Sequence, residues 1–80
     1  MEVTSSGYSP ATVIIESGTA IRFLNTDNEN HSATEWDRTW GSGTMNRGDH
    51  FTRYFDETGT WHYYSIYGDR DVFEGAIIVE

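Results

Sequence analysis

Gly59-Thr60-Trp61-His62-Tyr63-Tyr64-Ser65 alternates its residues at strand period, and after a charged loop at 68–71 the chain closes with Gly75-Ala76-Ile77-Ile78-Val79. Trp61, Tyr63 and Ser65 fall on one side of an extended backbone, and His62 and Tyr64 on the other. Side chains two apart share a face of a strand, so the first segment reads as a central strand packed through its aromatic side. The β-branched run Ala76-Ile77-Ile78-Val79 reads as a last strand that closes the chain.

Working outward, Thr12-Val13-Ile14-Ile15 and Ala20-Ile21-Arg22-Phe23-Leu24 carry the same signal, with Ile21 and Phe23 facing a core. Glu16-Ser17-Gly18-Thr19 between them reads as a hairpin turn. Val3 opens a short edge strand, and Pro10 marks a boundary because it lacks the N–H a ladder needs. Phe51 and Phe55 share strand parity, but so does Arg53, which is awkward for a core face. Asn25–Asn30 is a polar loop ended by His31, and Gly41-Ser42-Gly43 is a flexible break. No segment shows a helical period. About seven short strands in a single domain, 1–80, predict an all-β sandwich or barrel.

Aromatic residues make up 15% of the 80 positions, so a few rings must build most of the core. Thirteen acidic residues face five basic ones, all arginine, for a net charge of -8. Such a chain repels phosphate backbones, which argues against nucleic acid as a partner. The apolar runs are too short to insert into a membrane, and no basic-then-apolar leader opens the chain. Cysteine is absent, which excludes disulfides, thiolate metal sites and cysteine nucleophiles.

The ordered set Tyr8-Ser9-Pro10, Ile21-Arg22-Phe23-Leu24-Asn25, His31-Ser32, Gly48-Asp49-His50-Phe51, Gly59-Thr60-Trp61-His62-Tyr63 and Gly75-Ala76-Ile77-Ile78-Val79 resembles the cupredoxins, the plastocyanin, amicyanin and halocyanin group. The resemblance implies a Greek-key β-sandwich, electron carriage by type 1 copper, and a place outside the cytoplasm: extracellular, periplasmic or on the cell surface. It also implies a ligand loop of pattern C-x2-H-x4-M-x-G and an earlier histidine after a strand-ending asparagine. His31, six residues after Asn25, matches the earlier histidine. Anchored at Gly75, the loop puts Ser65 at the cysteine position, Gly68 at the second histidine and Phe73 at the methionine. Three of the four ligands are thus replaced. A hydroxyl, a hydrogen and a hydrocarbon ring cannot stand in for thiolate, imidazole and thioether.

The expectation is a non-enzymatic, monomeric cupredoxin-like scaffold or interaction module with no cofactor, either a natural member whose site decayed or a designed, minimal version of the fold. Its partner would be a protein or a glycan. His31 would then be a vestigial ligand or a loop histidine bonded to a nearby carbonyl. One alternative is weak copper or zinc binding, or electron transfer, through His31 with Asp69, Asp71 and Tyr67. Another is carbohydrate or protein recognition by exposed aromatics at Trp36, Trp40, Tyr64 and Tyr67. His50 and His62 read as exposed strand residues. Ser65 with a histidine and an aspartate resembles a triad in composition only, because no nucleophile-elbow motif surrounds it.

Overall fold

A computed structural model describes residues 1–80. It contains eight strands: β1 Glu2–Thr4, β2 Gly7–Ser9, β3 Thr12–Ile15, β4 Thr19–Asn25, β5 Thr34–Glu35, β6 His50–Phe55, β7 Gly59–Tyr64 and β8 Glu74–Val79. They form two four-stranded sheets, ordered β2-β1-β4-β6 and β3-β8-β7-β5. The fold is all-β, a Greek-key sandwich, with one strand more than the sequence count of about seven. β2 and β5 are the elements without a sequence signal; at three and two residues they are too short to show alternation.

The two runs that decided the fold lie side by side. β7 pairs antiparallel with β8, Trp61 opposite Ile77 and Tyr63 opposite Gly75. β7 is internal to its sheet, between β8 and β5. The core joins Val3, Tyr8, Phe23, Phe55, Tyr63, Ile77 and Val79 from both sheets. Tyr63 stands at its centre, edge-on to Tyr8 at 4.7 Å and to Phe23 at 5.3 Å between ring centroids. Such edge-to-face contacts match the positive rim of one ring to the negative face of the next.

Two local expectations change. Glu16–Thr19 is not a hairpin, because β3 and β4 belong to different sheets. β3 instead runs parallel to β8 from Thr12 beside Ala76 to Ile15 beside Val79. The turn is a corner between layers: Gly18, at φ 90°, donates its N–H to the Phe55 carbonyl. A left-handed φ suits glycine there. β1 is also not an edge, because β2 folds back over it and leaves Val3 fully buried.

Arg53 proves compatible with its core-side neighbours. Its guanidinium lies 5.2 Å from the Trp40 ring centroid and 4.9 Å from that of Phe55. The aliphatic stem covers the rim of the core while the charge rests on aromatic faces.

Candidate functional site

The end of the sandwich near His31 is organised by Asn25. Its amide donates to the carbonyls of Glu29 (3.0 Å) and Met45 (2.8 Å), and its Oδ1 accepts the Asp27 N–H (2.9 Å). Asn25 is fully buried, so these bonds satisfy a polar group that water cannot reach. They curl the loop and deliver His31 to a two-way backbone bridge with Met45.

His31 is 1% exposed. Its Nδ1 lies 3.2 Å from Ser65 Oγ and its Nε2 lies 2.7 Å from Asp27 Oδ2. Its ring stands against Phe73, 4.2 Å between centroids. Ser65 Oγ also accepts the N–H groups of Ser32 and Tyr67, each at 3.2 Å. A hydroxyl has two lone pairs and one proton. Both lone pairs of Ser65 are taken, so its O–H is turned toward Nδ1, and Nε2 faces the Asp27 carboxylate. Gly68, at φ 78°, passes close to Phe73; a Cβ there would sit 3.1 Å from the ring edge and 4.0 Å from His31 Cε1. The structure therefore gathers His31, Ser65, Gly68 and Phe73 at one place.

Other expected contacts do not form. Asp69 and Asp71 are exposed and serve their own loop: the Asp69 carbonyl accepts the Val72 and Phe73 N–H groups, and its carboxylate accepts the Asp71 N–H. Tyr67 donates to or accepts from the Thr44 hydroxyl. No three His, Asp or Glu side chains converge as a metal-holding group anywhere in the chain. The carboxylate that does meet His31 is Asp27, and its partner is not a backbone carbonyl. The Asp27–His31 spacing of four, inside an asparagine-nucleated loop, was the available signal. The hydrogen bond with His31 holds the Asp27 carboxyl below its ordinary range, aided by the N–H groups of Asn28 and Glu29 against slight desolvation.

Of the four candidate recognition aromatics, only Trp36 is exposed, at 44%, and its ring stacks on the exposed His62 at 4.5 Å. Trp40 packs against the core. Tyr64 is buried, with the Arg70 guanidinium 4.1 Å over its ring. Tyr67 is half-buried. Glu35, unnoticed in the sequence, is buried and organises the Trp36–Trp40 loop. Its carboxylate accepts the Asp37 N–H and both the N–H and hydroxyl of Thr39. Burial opposes its ionisation, but these donors outweigh it and hold the carboxyl below its ordinary range.

These bonds make two predictions. Ser65→Ala leaves one buried and one part-buried N–H group without an acceptor, so unfolding should become easier by on the order of 1–3 kcal/mol. Urea denaturation reads this as a lowered midpoint, and an unchanged midpoint would remove Ser65 from that role. The second concerns pH. Burial, and for Tyr8 the neighbouring Tyr63, push the Tyr8 and Tyr63 hydroxyls well above their ordinary 10.0. A raised folded pKa gives stability that is complete below the unfolded value and declines above it, here above about pH 10. Asp27 and Glu35 are lowered from 3.8 and 4.5, so their contribution is complete above those values and is lost as pH falls through the folded ones. Melting temperature should therefore hold a plateau from about pH 5 to 9.5 and fall on both sides. A drop already at pH 8 would contradict the alkaline assignment.

No family model matches the chain, and no curated protein matches it either. Solved structures do. A purple cupredoxin from Nitrosopumilus maritimus is 27% identical, with 95% of this chain and 84% of that chain covered, at a TM-score of 0.85. A reduced mutant of amicyanin superposes at 0.83 and an oxidized mutant at 0.86, each 16% identical over 100% of this chain and 81% of theirs. This chain has the cupredoxin fold, without the cysteine on which a type 1 copper centre depends.

Proposed function

We propose that the domain is a non-enzymatic scaffold or interaction module, placed outside the cytoplasm, whose former metal end has become a closed, hydrogen-bonded end. In this reading Ser65, Gly68 and Phe73 stand where the cysteine, second histidine and methionine of a blue-copper loop would be, and His31 is the retained first histidine. One observation carries it: the donor atoms of His31 and Ser65 are already engaged. Both His31 nitrogens and both Ser65 lone pairs have partners within 3.2 Å. Gly68 has no side chain to offer, and Phe73 fills the remaining space with hydrocarbon. The residues do not fit type 1 copper, because a neutral hydroxyl is a hard, poor ligand where a thiolate is needed.

The same engagement weighs against hydrolytic chemistry. Asp27, His31 and Ser65 form a hydrogen-bonded series, yet Ser65 is 3% exposed and donates its proton from a position no substrate carbonyl reaches. A shallow cleft of about 800 Å³ lies beside them, lined by Asp27, Glu29, His31, Tyr67 and Phe73, but Ser65 is not among its walls.

The test is metal analysis of protein purified without added metal, followed by copper titration and melting with and without chelator. No retained metal, no intense visible absorption and an unchanged melting temperature are expected. Stoichiometric copper or zinc that is lost in His31→Ala would overturn the reading in favour of a metal-binding role.

A further inference from the structure

Asn30-His31-Ser32 has the form Asn-x-Ser with x other than proline, the acceptor motif for N-linked glycans. We propose that Asn30 is an N-glycosylation site, modified before the domain folds; this rests on the reading above that the chain works outside the cytoplasm.

Three observations support it. Asn30 is exposed, on the loop that forms the wall of the cleft beside His31. Its amide takes no part in the bonds that hold its neighbours: Asn25 is tied to Glu29 and Met45, and Asn28 accepts from Arg47. A glycan on its Nδ2 therefore displaces nothing. The other two motif residues have the opposite character. His31 is 1% exposed and Ser32 is fully buried. The Ser32 hydroxyl bonds Thr34 Oγ1 at 2.9 Å and accepts the Ile66 N–H at 3.0 Å. An enzyme that must read the asparagine amide and the serine hydroxyl together can do so only on the open chain. Once β7 and the following loop close on Ser32, the motif is unreadable although its acceptor atom remains outside.

The reaction is a substitution. Asn30 Nδ2 forms a bond to the anomeric carbon of a lipid-linked oligosaccharide, the bond from that carbon to the lipid phosphate oxygen breaks, the lipid phosphate leaves with the bonding pair, and the proton lost from Nδ2 passes to solvent. The resulting glycan projects from the cleft rim and screens the closed end against macromolecular docking.

The test translates the full chain, behind a secretory leader, into microsomes that hold lipid-linked oligosaccharide. Only protease-protected, translocated chain is scored. A one-glycan mass increase is expected, removed by a glycan amidase, kept in Ser32→Thr and lost completely in Asn30→Gln, whose exposed site tolerates the change. Folded protein offered to the same enzyme in detergent should stay unmodified. Translocated chain without glycan, or a glycan that persists in Asn30→Gln, would overturn the proposal; efficient modification of folded protein would overturn its order of events. None of these outcomes bears on the metal titration, so the two readings fail separately.

Discussion

Tyr63→Ala is expected to lower stability by about 3–5 kcal/mol, the range for removing a fully buried aromatic ring. Tyr63 is 0% exposed and touches two rings of the opposite sheet, Tyr8 and Phe23, and the loop ring of Trp40. Its hydroxyl also reaches the Met1 sulfur at 3.2 Å and the Ala11 carbonyl at 3.3 Å. Removing the ring opens a void between the layers that rigid neighbours cannot fill. Domains typically hold only about 5–15 kcal/mol in total, so the variant should be largely unfolded at body temperature or close to it. Tyr54→Ala is the matched control. Tyr54 is 67% exposed, and its loss should change stability by less than about 0.5 kcal/mol. Equal urea midpoints for the two variants would show that Tyr63 does not organise the core.

The second large effect is a gain. Ser65→Cys combined with Gly68→His and Phe73→Met should yield an intense visible absorption on copper addition, from thiolate-to-metal charge transfer. The end already holds much of what such a centre needs. Asp27 pins His31 Nε2, which aims Nδ1 at position 65, and two N–H groups point at the atom that would become sulfur. Replacing the Ser65 hydroxyl releases the Nδ1 lone pair. The three changes depend on one another. A Cβ on Gly68 would press within 3.1 Å of the Phe73 ring, so Gly68→His alone should destabilise, and the flexible methionine relieves the contact. Histidine also tolerates the left-handed backbone at 68 better than most residues. Bleaching on reduction, and loss of the band in an added His31→Ala, complete the expectation. A folded triple variant that binds copper with only a weak band would show that positions 65, 68 and 73 are not the ligand positions.

Much of this architecture was legible in the chain because strand period and turn chemistry are local. Ile21 and Phe23 facing in, Arg22 facing out, and the strand character of the aromatic run and of the closing run needed no long-range information. The family resemblance set Ser65, Gly68 and Phe73 against a ligand loop, and the structure places all three close to His31. The turn at Glu16–Thr19 was misread because a hairpin and a sheet-to-sheet corner use the same residues; what separates them is whether β3 pairs with β4 or with β8. Asp27 and Glu35 were missed for a related reason. Their roles come from backbone donors that point inward only after the loops close.

The amino-acid order by itself determined the all-β class, the inward faces of the long strands and the absence of any thiolate, since each depends on residue identity or on a period of two. Only the folded molecule decided which layer each strand joins, which rings are exposed, and that Asp27 rather than Asp69 or Asp71 meets His31. Those outcomes depend on contacts between residues far apart in sequence, where packing area and hydrogen-bond satisfaction, not local preference, set the lower free energy.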